Sequence, residues 1–184
     1  MKLIRNRKVL LCSLSAFVLV ATATLVAGQG VGWTLVNWKV RTDFPGVRRI
    51  NPKQLAEWLD DKYRTQPVLL DVRTKTEFEV SHIRGAQRIE PDSAADAINL
   101  PRDKPIVTYC SVGYRSGGFA KKLRDAGYKN VQNMSGSIFE WANEGHPVER
   151  DGNRVDKVHP YNGTWGKLLK PELRANVPAV GSGM

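Results

Sequence analysis

One cysteine has neighbours that could make it a nucleophile. In the segment 106–118 (IVTYCSVGYRSGG) an apolar, partly β-branched run ends at Tyr109, Cys110 follows, and a stretch predicted to be helical begins near Ser116. If the run is a buried strand of a parallel sheet, Cys110 lies beyond its carboxyl end, where such sheets bind ligands. We therefore predict that Cys110 faces a crevice. The alternative is a small buried cysteine that only fills space.

The short loop after Cys110 should create positive potential at the thiol. N–H groups of a tight loop and of a helix N-terminus together bind anions, and Gly113 permits a backbone conformation that a residue with a Cβ resists. Arg115 adds a charged fork that suits the oxygens of a sulfate-like group. Both features favour a thiolate nucleophile. The residues predicted to bind an anionic substrate are Ser111, Val112, Gly113, Tyr114, Arg115 and Ser116.

Other polar residues near the same sheet edge are assigned to supporting roles and not to catalysis. Asp71 and Arg73 follow the apolar run 68–70 and support the same rim, where holding the loops is favoured over contacting substrate. Glu77 and His82 are assigned to the scaffold, because thiolate chemistry here needs no separate base. The histidines have no ligand spacing with each other or with cysteine, so we predict no metal site.

Composition narrows the class of partner. The net charge is +10, and four of the positive residues lie among the first eight. The sequence has no run of five basic residues and no nucleic-acid motif, so small anions are favoured over nucleic acid as partners. Only two cysteines occur, and Cys12 lies in an apolar leader, so Cys110 should be a free thiol.

The first 30 residues have the pattern of an export segment. A basic stretch, residues 1–8, precedes the uncharged run Val9–Ala27, which has 19 residues. That length is close to the roughly 20 residues that span a bilayer, although Ala21–Ala23 also resembles a cleavage site. We predict a cleaved signal peptide or, slightly favoured, a retained membrane anchor over residues 9–27. The protein is then exported, and is periplasmic or membrane-anchored with its domain facing outward.

The remaining sequence predicts the elements that must hold Cys110. Asn51 and Pro52 mark a helix start, with an apolar face at Leu55, Trp58 and Leu59. Strands are predicted near 68–70, 83–89, 105–109 and 131–133. Helices are predicted near 76–80, 93–100, 116–126 and 137–143. Short apolar strands that alternate with helices indicate an α/β fold, a doubly wound and mostly parallel sheet with helices on both faces.

The pattern divides the chain into four parts. Residues 1–30 are the leader, and residues 31–49, which show no clear period, are predicted to be a linker. Residues 50–148 form the α/β domain. Residues 149–184 are a polar extension with one apolar piece around Trp165, Leu168 and Leu169, and we expect it to wrap the domain or to stay partly disordered.

Several segments within residues 51–148, in this order and spacing, resemble the rhodanese family. They are Leu70–Arg73, Glu77–Phe78, His82–Ala86, Pro105–Ser116, Gly127–Tyr128, Asn133–Gly136, Trp141 and Gly145–Val148. Each segment alone is a weak signal, and only their combination is specific. The position of the catalytic cysteine in active members is occupied here by Cys110.

The resemblance implies a single-domain sulfurtransferase that needs no metal or organic cofactor. The Cys110 thiolate would attack the outer sulfur of a thiosulfate-like donor, release sulfite and hold the sulfur as a persulfide. A thiol or another thiophilic acceptor would then remove that sulfur. The N–H groups from Ser111 to Ser116 would stabilise the persulfide, and Arg115 would orient the oxygens of the donor.

Two other functions remain open. A module of the same fold could bind a partner, or relay sulfur to it, with little turnover. A small phosphatase or arsenate reductase is disfavoured, because similar phosphatase loops place five residues between cysteine and arginine. Here four residues intervene, from Ser111 to Tyr114, and the smaller loop favours sulfur.

Overall fold

The computed structural model describes residues 30–177. Residues 1–29 of the predicted leader, which covers residues 1–30, and the last seven residues of the extension lie outside this range. Among the residues that are described, no helix is long and apolar enough to cross a membrane. The chain divides into two compact units, the first ending at Leu35 and the second beginning at Val36. Of the first unit, residues 30–35 are described and are helical. The site lies in the second unit.

A five-stranded sheet forms the centre of the second unit. Its strands are β1 (Arg48–Ile50), β2 (Val68–Asp71), β3 (Gln87–Arg88), β4 (Ile106–Tyr109) and β5 (Val131–Met134). Their order in space is β1-β5-β4-β2-β3, and every neighbouring pair is parallel. The predicted α/β fold with a mostly parallel sheet is therefore confirmed, and the strand that leads to Cys110 lies at the centre of the sheet.

Helices connect the strands. They are α1 (residues 30–43), α2 (Pro52–Asp60), α3 (Lys75–Val80), α4 (Tyr114–Asp125) and α5 (Ser137–Asn143). An antiparallel hairpin, β6 (Val148–Arg150) and β7 (Asn153–Val155), follows α5. Three short 3-10 segments, Ala95–Ala97, Trp165–Leu168 and Pro171–Leu173, lie in the connections and the C-terminal extension.

Two helices begin with reciprocal capping. The side chain of Asn51 accepts the N–H of Gln54, whose side chain accepts the N–H of Asn51. Thr74 and Glu77 make the same pair of bonds at the start of α3. Such capping boxes satisfy N–H groups that have no partner in the first turn of a helix. The second box also fixes the Glu77 carboxylate at the rim of the sheet.

Side chains on both faces of β4 are buried. Successive residues of a strand point to opposite faces, and Ile106, Val107, Thr108 and Tyr109 are all inaccessible to solvent. On one face, α4 packs over Thr108, whose hydroxyl donates to the Ser116 carbonyl at 3.1 Å. A parallel strand covered in this way is rigid, and it holds the residue that follows it in a fixed position.

Two segments differ from the sequence prediction. The predicted linker 31–49 is helical up to residue 43, because Val36 and Val40 share one buried helical face, and it ends in strand β1. The predicted helix 93–100 is reduced to the single 3-10 turn Ala95–Ala97. There the Tyr128 hydroxyl donates a hydrogen bond to the Ile98 carbonyl. A longer helix would need this oxygen as an acceptor for its own backbone hydrogen bonds.

Candidate active site

Cys110 follows β4 directly, and its sulfur lies at the N-terminus of α4. Gly113 caps that helix with φ of +103°, a left-handed conformation that residues with a Cβ rarely adopt. This turn brings the Gly113 N–H to 3.2 Å from Cys110 Sγ. Helix α4 begins two residues before the predicted start at Ser116, and the backbone N–H groups of Gly113 and Ser116 hydrogen-bond the thiol.

The backbone of the cysteine is held by α5. The Cys110 N–H donates to Ser137 Oγ at 3.1 Å, and that hydroxyl donates to the Met134 carbonyl at 3.0 Å. The Ile138 N–H in turn donates to the Cys110 carbonyl at 3.1 Å. Sequence reasoning missed Ser137 as a site residue. The only local signal was a serine at the start of a predicted helix, and it does not indicate which loop the hydroxyl contacts.

Opposing effects act on the pKa of Cys110. Burial raises it, because removal from water disfavours the thiolate. The positive charge of Arg115 and hydrogen bonds from Ser116 and Gly113 lower it, and these prevail, so the pKa of the Cys110 thiol lies below its ordinary value. The site can thus supply a thiolate, the reactive form of cysteine, closer to neutral pH than a free thiol can.

Arg115 makes its strongest contacts with Glu77. Its terminal nitrogens donate to the two carboxylate oxygens of Glu77 at 2.8 and 2.7 Å, and one also reaches Ser111 Oγ at 3.0 Å. The Ser111 hydroxyl donates to Glu77 Oε1 at 2.6 Å. Glu77, assigned to the scaffold from sequence, is therefore the direct partner of Arg115. The two terminal nitrogens bind Glu77 and Ser111, and the orientation of donor oxygens by Arg115, which the family resemblance implies, stays a prediction.

Glu77 stays ionised although it is fully buried. Burial raises the pKa of this carboxyl, but hydrogen bonds from Arg115 and Ser111 and the charge of Arg115 lower it further, to about 2. A permanently charged Glu77 neutralises much of the charge of Arg115. The electrostatic environment of the thiol therefore depends on this pair as a unit.

The predicted rim residues lie apart from the cavity. Asp71 and Arg73 are fully buried and form an ion pair with a shortest N–O distance of 2.6 Å. Arg73 also donates to the Ser81 carbonyl at 2.7 Å and to the Glu77 carbonyl at 3.3 Å. The pair therefore holds the middle and the C-terminal end of α3, and the sequence analysis likewise favoured a supporting role over substrate contact. Ser116 is buried as well, and its hydroxyl donates to Asn133 Oδ1 at 2.7 Å.

A cavity of about 260 Å³ opens beside the cysteine. The loop supplies five of its lining residues: Cys110, Ser111, Val112, Tyr114 and Arg115. The other four come from distant segments: Val36, Lys39, Tyr161 and Trp165. Sequence reasoning missed these four, because nothing in the local pattern of α1 or of the extension indicates which surface each segment covers. Within residues 30–177, no group of three histidine, cysteine or acidic residues could hold a metal ion.

Comparison with known proteins gives a consistent match. Residues 51–144, about half of the chain, match the family model of the rhodanese-like domain. Over 101 residues the chain is 34% identical to the probable adenylyltransferase/sulfurtransferase MoeZ of Mycobacterium tuberculosis, covering 53% of this chain and 25% of that protein. Over 86 residues it is 40% identical to the adenylyltransferase and sulfurtransferase UBA4 of Meyerozyma guilliermondii, covering 42% and 20%.

A solved structure matches the fold. The rhodanese-like domain protein of Staphylococcus aureus superposes with a TM-score of 0.51 at 24% identity, covering 58% of this chain and all of that one. At this identity the likeness shows the fold alone. The chain spans a quarter or less of the length of the two curated relatives, so their complete activities belong to larger proteins.

Proposed function

This chain belongs to the rhodanese-like domain family, and on that premise we propose that it is a sulfurtransferase acting through a persulfide on Cys110. The observation that carries the proposal is the position of Cys110 Sγ. The sulfur accepts the Gly113 N–H at a helix N-terminus, has a lowered pKa and borders a cavity. A thiolate held in this way is a prepared nucleophile with an anion site around it.

In the first step, the Cys110 thiolate attacks the outer sulfur of a thiosulfate-like donor. The new bond joins Cys110 Sγ to that sulfur, the sulfur–sulfur bond of the donor breaks, and its electron pair leaves with sulfite. The negative charge then lies on the terminal sulfur of the persulfide. N–H groups of the loop from Ser111 to Ser116 would stabilise that charge, in the way that the Gly113 N–H already donates to Cys110 Sγ.

In the second step, a thiol or another nucleophilic acceptor attacks the terminal sulfur. The bond between the two sulfurs of the persulfide breaks, and Cys110 leaves as a thiolate. Because that thiolate has a lowered pKa, it is a good leaving group in this step. The same features therefore favour both half-reactions, and neither requires a metal or an organic cofactor.

Arg115 acts mainly on the thiol in this proposal. Its guanidinium lines the cavity with a side chain that is 23% exposed, while its terminal nitrogens bind Glu77 and Ser111. Its charge still favours the thiolate and an anionic donor. Lys39 is the second cation that lines the cavity. A small dianion entering the cavity therefore meets two cations, each already paired with a carboxylate, Arg115 with Glu77 and Lys39 with Asp43.

The place of action is also a proposal. The basic residues 1–8 and the uncharged run Val9–Ala27 support export, either with cleavage or with anchoring through residues 9–27. The protein would then work in the periplasm or on the outer face of a membrane. Protease treatment of spheroplasts should degrade the domain, and its protection until lysis would contradict export.

Steady-state assays separate the candidate functions. The protein should form thiocyanate from thiosulfate and cyanide, and Cys110→Ser should abolish this activity with the fold intact. Cys12→Ser, which removes the only other cysteine, is the matched control and should keep the activity. Hydrolysis of aryl phosphates without thiocyanate formation would instead favour a phosphatase. Absence of both activities would favour the binding module.

A further inference from the structure

The part of the cavity wall that the cysteine loop does not supply is largely apolar and aromatic. Its residues are Val36, Lys39, Tyr161 and Trp165, all outside the segment 51–144 that matches the family model, and Lys39 is the one charged residue among them. The volume of about 260 Å³ equals that of about nine water molecules at about 30 Å³ each. Thiosulfate, a small and strongly hydrated anion, would leave most of this space unfilled and would gain nothing from the apolar wall.

Tyr161 is held in place by an unusual backbone. Its φ is +63°, a left-handed conformation that is rare for a residue with a bulky side chain. Its N–H donates to Nδ1 of the fully buried His159 at 2.9 Å, and its ring lies 4.7 Å from the Arg115 guanidinium. Strained conformations persist where the surroundings enforce them, and they cluster at functional sites. The Tyr161 ring is therefore a preorganised part of the wall.

Trp165 lines the cavity, and its backbone is held in place. Its N–H donates to Asn162 Oδ1 at 2.9 Å, and the segment that it begins is anchored by the buried Leu168 and Leu169. The indole remains 38% exposed, so a bound molecule could cover it. Aromatic side chains that stay partly exposed in a rigid setting are well suited to bind a flat apolar group.

Helix α1 supplies the other part of this lining, Val36 and Lys39. Asp43 accepts the Tyr114 hydroxyl at 2.6 Å and the Lys39 ammonium at 2.8 Å, and the Phe44 ring packs 5.1 Å from the Tyr114 ring. These contacts hold Val36 and Lys39 at the cavity. These contacts and those of Tyr161 and Trp165 hold the lining residues in place before a ligand binds, which keeps the ordering cost of binding small.

We propose that this cavity selects sulfur donors in which the transferable sulfur is attached to a flat apolar body, such as an aryl thiosulfonate, and that Tyr161 and Trp165 determine this specificity. The inference rests on the proposed sulfurtransferase function. Cys110 attacks the terminal sulfur, the sulfur–sulfur bond of the donor breaks, and the electron pair leaves with the aryl sulfinate. The ring stays against Tyr161 and Trp165 while the sulfur is transferred.

The test compares two donors that differ only in their body. The kcat/KM for persulfide formation with benzenethiosulfonate is divided by that with methanethiosulfonate, and this ratio is divided by the ratio for free cysteine, which corrects for intrinsic reactivity. We expect a corrected preference of about tenfold or more, because the aromatic ring buries apolar surface that the methyl group does not have. Trp165→Ala should reduce the preference severalfold, and Trp165→Phe should retain most of it.

Matched controls separate the outcomes. Tyr63→Ala removes a fully exposed aromatic residue and should leave the corrected preference unchanged. A corrected ratio near one in the unchanged protein, with thiosulfate still loading Cys110, would overturn this inference and leave the proposed function standing. A ratio that Trp165→Ala and Tyr161→Ala both leave intact would also overturn it. Failure of every donor to load Cys110 would overturn the proposed function itself.

Discussion

Two buried ion pairs of the same chemistry lie side by side at the rim of the sheet. Asp71–Arg73 is fully buried at both ends, whereas Glu77–Arg115 has a buried carboxylate and an arginine that borders the cavity. Arg73 also donates to the Glu77 carbonyl, so the first pair supports the second. Only the second pair acts on the Cys110 thiol. The same residue types thus serve the scaffold in one place and the thiolate in the other.

The largest effect on stability should come from breaking the fully buried Asp71–Arg73 pair. Asp71→Ala leaves the Arg73 charge buried and unpaired, which should lower the free energy of unfolding by about 3–5 kcal/mol, measured by urea titration. Lys121→Ala, which breaks an exposed pair with Asp125, is the control and should have little effect. An Asp71→Ala protein as stable as the control variant would show that the pair is not part of the scaffold.

The pH dependence of stability should identify Glu77. Its folded pKa of about 2 lies below the ordinary value of 4.5, so the unfolded chain binds protons first as the pH falls. The resulting stabilisation, about 3 kcal/mol, is complete above about pH 4.5 and disappears as the pH approaches 2. Glu77→Gln should lack this component in urea titrations between pH 2 and 6. If the stability of Glu77→Gln depended on pH as that of the wild-type protein does, the assignment of this component to Glu77 would be contradicted.

Arg115 should affect reactivity more than Arg73 does. Arg115→Gln removes a cation near the thiol and leaves the Glu77 anion uncompensated, and both changes raise the pKa of Cys110. The pH profile of alkylation by iodoacetamide should therefore move to higher pH. Lys122→Gln, at the far end of α4, should leave the profile in place. Coincident alkylation profiles for Arg115→Gln and the wild-type protein would show that the Glu77–Arg115 pair, like the Asp71–Arg73 pair, does not act on the Cys110 thiol.

The smallest effect should come from a neutral contact. Ser137→Ala leaves the Cys110 N–H without its acceptor, which should lower the free energy of unfolding by about 1–2 kcal/mol. Alkylation of Cys110 should change less than in Arg115→Gln, since no charge is altered. A larger shift of the pH profile than that of Arg115→Gln would mean that backbone position, and not charge, controls the thiol.

The features that sequence predicted correctly are local. The β4 strand, the turn at Gly113 and the helix behind it depend on consecutive residues, and that short stretch is enough to position Cys110 at a helix N-terminus. The bond between Glu77 and Arg115 joins residues 38 apart, and no local pattern encodes it. The capping box indicated where α3 begins, but not what the remaining oxygens of Glu77 would bind.

The cavity wall was the hardest part to predict. Val36 lies in a segment interpreted as a linker, because only the pair Val36 and Val40 carries its helical period. Tyr161 and Trp165 lie in an extension whose turns depend on contacts with the folded domain. Substrate specificity depends on such distant contacts. It is therefore harder to predict from sequence than the identity of the nucleophile.

Intact mass after incubation with thiosulfate tests the central claim most directly. The protein should gain the mass of one sulfur atom and lose it again on addition of cyanide. Cys12→Ser should behave in the same way, and Cys110→Ser should gain nothing. Absence of the gain in the folded, unchanged protein, or its persistence in Cys110→Ser, would contradict the account.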